Sequence, residues 1–501
     1  MKTPGRLRFL LRRPEPWIAL IVLLAGAYFC GSGSWNQNAR LDAIFSFVEP
    51  GPQRWTFRID SFLPFPNRSL NTGDWTRFGD HYYANKAPGT ILLGVLAYLP
   101  LYWLEAALGV SIDAPVIEIL NAYWINVWVS VVPLALASAL WYRLLSRRAG
   151  ERRALVLALL TFFATALFPY STQLWGHTTA AAFVMMAWWS FDATEQSTRR
   201  LPHAATGALA GLAVLCDFLA FPTVIALAIG AALKDRTRWV WLSAGGVVPL
   251  LLLLTYQWYC FGSPWSLPTE HTRPQFVDTS RVLGLFGWID AHALFSLTLG
   301  VHRGLFIQMP ILLGAAVGYV FWWRRAPFAF EPWANAAAFL LTLALVASFN
   351  GWNGGATVCA RYLILAIPLL ARGLAELPSG RSWSLGLAAL AIPSLCNMLA
   401  IAAVGPLAPD ELDNPLLGFI YPHFLAGRLH PYPWPIRLQA LRPDFAAWRQ
   451  LTVWNFGDVL GLTGLARLLP LIGLIAGASV VALRLTEPPR PRVNRAPLDQ
   501  C

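Results

Sequence analysis

Residues 36–89 read NQNARLDAIFSFVEPGPQRWTFRIDSFLPFPNRSLNTGDWTRFGDHYYANKAPG, a polar stretch that follows an apolar run near the N-terminus. It brings several titratable side chains close together in the chain: Asp42, Asp60, Asp74, Asp80, His81 and Lys86. Most of the remaining chain is apolar. A membrane chain that gathers its carboxylates directly after its first apolar run concentrates its chemistry there, and we expect the candidate site in this stretch.

The composition is that of a polytopic membrane protein. Of the 501 residues, 56% are hydrophobic and 13% are charged, whereas soluble domains carry about 25% charged residues. The mean hydropathy is +0.50. The length predicts an all-α bundle of roughly 12 transmembrane helices of about 20 residues each. The net charge of +12 comes from basic residues in short loops between apolar runs, a pattern of cytoplasmic topology signals rather than of nucleic-acid binding.

The basic clusters predict which segments lie on which side of the membrane. Residues 1–16 form a basic cytoplasmic N-terminus, residues 17–483 a transmembrane domain, and residues 484–501 a disordered cytoplasmic tail. The larger polar segments are predicted to lie on the outer face, at 35–117, 259–303 and 405–462. The apolar run 90–108 lies in the first of these loops. Its Pro100, its aromatic residues and its Glu105 favour a helix lying at the membrane surface.

An outer-face site that acts on a membrane substrate needs a carboxylate, cations for a phosphate and an apolar wall for a lipid. Asp60 or Asp42 would supply a carboxylate that deprotonates or orients an acceptor hydroxyl. Lys86, with Arg40 or Arg58, would supply cations that stabilise a phosphate leaving group. Lys86 is the most distinctive of them, because it opens an apolar segment through K-A-P-G, where membrane burial makes an idle charge costly.

Other titratable residues are weaker candidates. Asp80 and His81 offer oxygen and imidazole ligands that could help to hold a divalent metal, although a polar loop of this length also carries such residues by chance. In the outer layer, His177, His302, Arg303 and Arg361 are candidates for phosphate or metal binding, with interfacial polar contacts as the alternative. Asp217 lies between two apolar runs, where a carboxylate is a functional-site hypothesis by default.

The order of these elements resembles a known family, the GT-C glycosyltransferases, in the branch that contains the protein O-mannosyltransferases and the lipid A aminoarabinose transferase. The family's R-Y/F, G-D-W and Y-F-E-K-P-P elements are similar to Arg40, to Gly73–Asp74–Trp75 and to Y-Y-A-N-K-A-P at 82–88. The resemblance adds Asp74, Tyr82 and Tyr83 to the candidates. It implies a catalytic carboxylate in the first outer loop, juxtamembrane helices in that loop, and a polyprenyl-phosphate sugar donor whose phosphate Lys86 grips.

The chain departs from the family pattern at two points. The family's acidic pair before the arginine is replaced by Asn36-Gln37-Asn38, and the Glu before the lysine is replaced by Asn85. The first change moves the base to Asp60 or Asp42, with Asp60 preferred because a neighbouring Arg58 would keep it ionised. The second removes a family metal ligand, so a metal requirement stays open.

These observations predict an integral membrane glycosyltransferase of the bacterial inner membrane, with both termini in the cytoplasm and the active site outside. It would transfer a hexosyl or pentosyl group from a polyprenyl-phosphate donor to a lipid, glycan or protein acceptor, with inversion by direct displacement. The alternatives are a transporter or flippase of a lipid-linked or small solute, and an envelope assembly protein without catalysis. A transporter predicts charges buried in several spans, for which Asp217 is nearly the only clear candidate. The phosphate-binding G-x-x-x-x-G-K-[ST], the G-x-S-x-G elbow and H-E-x-x-H are absent from the sequence.

Overall fold

The structure is a computed structural model that describes residues 13–63, 71–273, 277–278, 280–431 and 453–486. Five predicted segments therefore lie partly outside the described residues. These are the basic N-terminus over 1–12, the loop 35–117 over 64–70, the loop 259–303 over 274–276 and 279, the loop 405–462 over 432–452, and the tail over 487–501.

The described chain is predominantly helical with almost no sheet, which confirms the predicted all-α polytopic class. The α-helices are α1 Pro14–Ala27, α2 Trp35–Val48, α3 Gly89–Ala107, α4 Pro115–Asn126, α5 Val132–Ala149, α6 Glu151–Phe163, α7 Leu167–Ser171, α8 Gly176–Ala193, α9 Arg200–Cys216, α10 Phe221–Lys234, α11 Arg236–Phe261, α12 Ala291–Thr298, α13 Leu305–Gln308, α14 Ile311–Arg325, α15 Phe330–Ser348, α16 Ile367–Ala371, α17 Arg381–Val404, α18 Tyr421–Leu425, α19 Phe456–Val459 and α20 Leu469–Leu485. Two antiparallel pairs of short strands join β1 Phe29–Cys30 to β4 Trp454–Asn455, and β2 Trp75–Phe78 to β3 His81–Ala84.

Six helical segments in the described part of the chain are long and apolar enough to cross a membrane, by length and composition alone: Gly89–Ala107, Pro115–Ala149, Arg236–Phe261, Phe330–Ser348, Arg381–Val404 and Gly464–Leu485. The second joins α4 to α5 through a π-helical turn, Val127–Val131. Shorter apolar helices add to this set, α1 among them. The run 90–108 coincides with α3. Its length suits a span as well as a surface helix, so its predicted position at the surface stays a prediction.

Helix α8 extends from one polar end of the helical bundle to the other. Near its C-terminal end, Asp192 pairs with Arg147 from α5 and with Arg372, 3.8 Å away, from the segment after α16. Near its N-terminal end lies His177. Fifteen residues at 1.5 Å each place His177 roughly 22 Å from Asp192 along the helix axis. Basic residues from two separate segments thus meet at one end of α8. Gln37 and Arg40, from the polar stretch, lie at the other end.

Helices α9 and α11 pack backbone against backbone at two glycines. A Cβ atom at Gly207 would lie 1.8 Å from the carbonyl oxygen of Leu242, and one at Gly245 would lie 1.8 Å from that of Ala204. Small residues permit such close approach between membrane helices. Any side chain at either position would have to push the two helices apart.

We therefore expect Gly207→Ala to lower the free energy of unfolding by about 1–3 kcal/mol, the usual cost of overpacking. The midpoint of thermal unfolding in detergent measures the effect. Gly386→Ala in α17 is the matched control, since a Cβ there meets nothing within 4 Å. Equal midpoints for the two variants would contradict this account of the α9–α11 contact.

Candidate functional site

A β-hairpin brings Asp74 and Lys86 together. Asp74 precedes β2 and Lys86 follows β3, and the antiparallel register pairs Trp75 with Ala84. The two-residue turn begins at Gly79, whose φ of 59° is the left-handed conformation that glycine adopts without strain. The Lys86 Nζ atom lies 2.8 Å from Oδ2 of Asp74, and the two side chains are only 16% and 17% exposed. The hairpin therefore builds a largely buried ion pair.

This ion pair lines a cavity of about 690 Å³. The lining comes from segments that are far apart in the chain: 34–36, 74, 85–86, 175, 269, 272, 285, 349–351, 353–357, 361–362, 407 and 410. Its charged members among the described residues are Asp74, Lys86, Arg361 and Asp410. A cavity of this size, mostly apolar with a few convergent polar groups, has the character of a small-molecule or lipid-headgroup site.

Arg361 is the second cation of the cavity. Its guanidinium Cζ lies 5.1 Å from the ring centroid of Trp175 and 4.9 Å from that of Tyr362, and Nη2 donates a hydrogen bond of 3.0 Å to the Tyr362 hydroxyl. Gly354 packs against it with a φ of 76°, and a Cβ there would lie 2.9 Å from the Arg361 Nε. Aromatic rings thus hold the guanidinium in place without neutralising its charge.

Arg40 lies behind the cavity wall. Its Nη1 donates to the backbone carbonyl of Asn36 at 2.7 Å and also to the Asn36 side chain, and its Nε donates to Thr90 at 2.9 Å. Asn36 itself lines the cavity. Arg40 therefore adds positive charge near the cavity and orients one of its wall residues.

His177 and Asp217 form a buried pair close to this group. The Nδ1 atom of His177 lies 2.5 Å from Oδ2 of Asp217, and the imidazole ring stands edge-on to the ring of Tyr362 at 5.3 Å. Neither residue lines the cavity. The structure thus brings His177 and Asp217 together directly beneath a wall residue, a proximity that 40 residues of sequence separation did not reveal.

Burial and neighbouring charges act in opposite directions on the ion pair. Burial lowers the pKa of Lys86 to about 8, although Asp74 counteracts it. Burial alone would raise the pKa of Asp74, but Lys86, Arg361 and Arg40 outweigh it and bring that pKa below its ordinary value. Both groups are therefore charged at neutral pH, and Lys86 titrates just above it.

The structure places Asp60, the carboxylate preferred from the sequence, outside the cavity lining. Its two oxygens accept hydrogen bonds from the backbone N–H of Tyr82 at 2.6 Å and from Gln53 Nε2 at 3.1 Å, and Oδ2 lies 2.9 Å from His81 Nδ1. These contacts tie the loop before the hairpin to β3. Asp60 has the environment of a structural carboxylate.

Asp42 also lies apart from the cavity. It is fully buried in α2, and its Oδ2 accepts a hydrogen bond of 2.6 Å from Asn71. Asp80 is at the hairpin turn, where its side chain is 94% exposed and 3.4 Å from Arg77. Within the described ranges no three His, Cys, Asp or Glu side chains are grouped so that they could hold a metal ion.

The remaining predicted residues are also absent from the lining. The ring of Tyr82 packs edge-on against Trp75 at 4.9 Å, and Tyr83 packs against Phe261 at 5.4 Å, so both serve the packing of the hairpin. Three predicted basic residues also do not line the cavity: Arg58, His302 and Arg303. Burial raises the pKa of Tyr83, and Arg58 counteracts that rise. Arg303 is buried behind a different wall of the cavity.

Asp410 is the charged lining residue that the sequence interpretation missed. It lies in a Pro-rich loop that carried no chemical signal, and only its distance of 3.2 Å from Arg303 Nη2 shows that it is held in place. Arg361, by contrast, was already a candidate from the sequence, and it lies in the segment 349–362. Most of that segment lines the cavity.

No family model and no curated protein sequence matches the chain. Among solved structures, the crystal structure of ArnT from Cupriavidus metallidurans in the apo state matches 94% of this chain and 76% of that chain, with 15% identity and a TM-score of 0.50. The same protein bound to undecaprenyl phosphate matches 97% and 78%, with 14% identity and a TM-score of 0.45. The Archaeoglobus fulgidus oligosaccharyltransferase tethered with an acceptor peptide matches 87% and 58%, with 12% identity and a TM-score of 0.39. The likeness to apo ArnT, a member of the GT-C superfamily, shows that this chain has the GT-C fold, as the sequence resemblance predicted.

Proposed function

We propose that this protein is an integral membrane glycosyltransferase that moves a sugar from a polyprenyl-phosphate donor to an acceptor hydroxyl on the extracytoplasmic face. The observation that carries the proposal is the cavity in which Asp74, Lys86 and Arg361 meet. Two cations beside a buried carboxylate supply both a phosphate site and a base. The GT-C fold is consistent with it.

Lys86 and Arg361 would hold the donor phosphate. Lysine has three N–H donors, so Lys86 can bind a phosphate oxygen while it keeps contact with Asp74. Arg361 packs against its aromatic rings, and its Nε atom has no hydrogen-bond partner among the described residues. Fixed cations that face developing charge stabilise the transition state with little reorganisation. The leaving phosphate gains negative charge where these two side chains lie.

Asp74 would act as the base, in place of Asp60 or Asp42. The acceptor oxygen attacks the anomeric carbon, the bond from that carbon to the phosphate oxygen breaks, and the phosphate leaves with the electron pair. The hydroxyl proton passes to Asp74, and the anomeric centre inverts. When Lys86 turns toward the phosphate, Asp74 loses part of the interaction that keeps its pKa low. Its basicity then rises where the hydroxyl must be deprotonated.

Sugar transfer by the full chain in nanodiscs tests the proposal. Radiolabelled undecaprenyl-phosphate sugars, hexoses and pentoses, are offered with a bacterial membrane extract as acceptor, and binding of undecaprenyl phosphate alone is measured in parallel. We expect saturable lipid-phosphate binding and transfer from at least one donor. Absence of transfer from every donor, together with movement of the lipid across liposome membranes, would favour a flippase instead.

The pKa of Lys86 predicts the pH dependence of donor use. A lysine with a pKa of about 8 loses its charge as the pH rises through 8, so kcat/KM for the donor should fall about tenfold per pH unit above that value. Lys86→Arg is the informative variant, because arginine stays charged throughout. Whatever activity that variant retains should not show the alkaline fall. An alkaline fall of equal position in both proteins would contradict the assignment to Lys86.

A further inference from the structure

Two segments are joined to form one wall of the cavity, which we call the second wall: residues 349–357 and 406–410. The backbone N–H of Val358 donates to the carbonyl of Pro406 at 2.9 Å, and that of Ala408 donates to the carbonyl of Ala356 at 3.3 Å. Thr357 and Leu407 form an isolated β-bridge between these bonds. The second wall is therefore a short two-stranded connection rather than two independent loops.

Arg303 fastens the second wall from behind. Its side chain is 1% exposed. Nε donates to the carbonyl of Asn353 at 2.7 Å, and Nη2 donates to the carbonyl of Gly355 at 2.6 Å and lies 3.2 Å from Asp410 Oδ1. One guanidinium thus fixes both segments. Asp410 lines the cavity while its charge is balanced from the protein side, and its side chain remains 43% exposed.

The charges of the cavity are distributed unevenly. Among the described lining residues the cations are Lys86 and Arg361, and both are assigned to the donor phosphate in the proposed function, on which this inference rests. The second wall contributes a single charge, the carboxylate of Asp410. Arg303 already balances the Asp410 carboxylate, and no further cation of the described lining lies in this wall to pair with a second phosphate. An unpaired charge in a partly buried site is costly. The wall disfavours a phosphorylated acceptor.

The second wall is instead suited to hydroxyl groups and sugar rings. It presents the Asp410 carboxylate, the side chains of Asn353 and Thr357, and the backbone of Gly354 and Gly355. The ring of Phe349 lies in the same wall, and Trp35 lies in the cavity lining. Sugars carry hydroxyl groups that donate to carboxylates and carbonyls, and apolar C–H faces that pack on aromatic rings. We propose that the second wall is the acceptor subsite and that the acceptor is a neutral carbohydrate chain.

Ligand binding to the full chain in nanodiscs tests this subsite separately from transfer. The probes are a mixture of neutral gluco-, manno- and galacto-oligosaccharides, phosphorylated forms of the same sugars, Ser/Thr-containing peptides, and undecaprenyl phosphate. Binding is read by saturation-transfer-difference NMR or native mass spectrometry. We expect neutral oligosaccharides to bind. Asp410→Ala should weaken them about tenfold or more, the usual effect of losing a hydrogen bond to a charged group, and leave undecaprenyl phosphate unchanged.

Asp413→Ala is the matched control, since this exposed neighbour does not line the cavity. Arg303→Lys should show an intermediate loss of oligosaccharide binding, because lysine keeps the charge but not the fork that reaches both segments. Tighter binding of phosphorylated sugars or of peptides would overturn the proposal, as would undecaprenyl phosphate binding without any oligosaccharide binding. Failure of undecaprenyl phosphate to bind would instead remove the proposed function, and this inference with it.

Discussion

Lys86→Ala is expected to lower sugar transfer about a hundred- to a thousand-fold, the range seen when one preorganised group that stabilises transition-state charge is removed. The side chain lies 2.8 Å from Asp74 in a largely buried position, so water cannot fully replace its charge at the phosphate. The loss should appear both in kcat and in the affinity for undecaprenyl phosphate. Initial rates with radiolabelled donor and direct binding of the lipid phosphate measure the two effects.

The control for this variant is Lys234→Ala. Lys234 is paired with Glu195 and lies 3.6 Å from Glu331, and it is not among the cavity-lining residues. Removing it takes away the same charge from the chain without touching the proposed phosphate site. Full transfer by Lys86→Ala, at normal expression, would mean that Arg361 suffices for the phosphate or that the cavity is not the donor site.

Asp74→Asn is expected to reduce kcat by about two to four orders of magnitude, the contribution of a positioned general base. The amide keeps the size of the side chain and a contact to Lys86, but it cannot accept the acceptor proton. Donor binding should therefore persist. Single-turnover transfer with preloaded donor separates this chemical defect from a binding defect.

Asp60→Asn tests whether Asp60, rather than Asp74, is the catalytic base. Asp60 is engaged by Tyr82, His81 and Gln53, and the loss of such bonds costs about 1–3 kcal/mol of unfolding free energy. We expect a lower thermal midpoint with transfer largely retained. If Asp60→Asn abolishes transfer while the thermal midpoint is unchanged, the base role returns to Asp60, as the sequence first suggested. Asp42→Asn is predicted to behave as a stability variant as well.

The hairpin shows how much of the site a local pattern contains. Two short runs that contain aromatic and β-branched residues, W-T-R-F and H-Y-Y-A, flank Gly79-Asp80, a pattern typical of a two-residue β-turn. The register continues to Asn85 opposite Asp74, so Lys86 lies one residue beyond that pair, within reach of the Asp74 carboxylate. The ion pair was therefore accessible from the sequence, because all its determinants lie within about a dozen residues. The sequence analysis preferred Asp60, but Asp74 lines the cavity and Asp60 does not. A neighbouring arginine in the sequence does not indicate which carboxylate faces a cavity.

The sequence by itself determined the membrane class and the predominantly helical architecture, because hydropathy acts locally along each segment. It also indicated Lys86 and Arg361, whose surroundings in the chain are distinctive. Only the tertiary structure decided which aspartate lines the cavity, that His177 meets Asp217, and that Arg303 joins residues 353–355 to Asp410. The contacts of His177 and Arg303 join residues that are 40 to more than 100 positions apart in the chain. Their geometry follows from how the helices pack, which no single segment specifies.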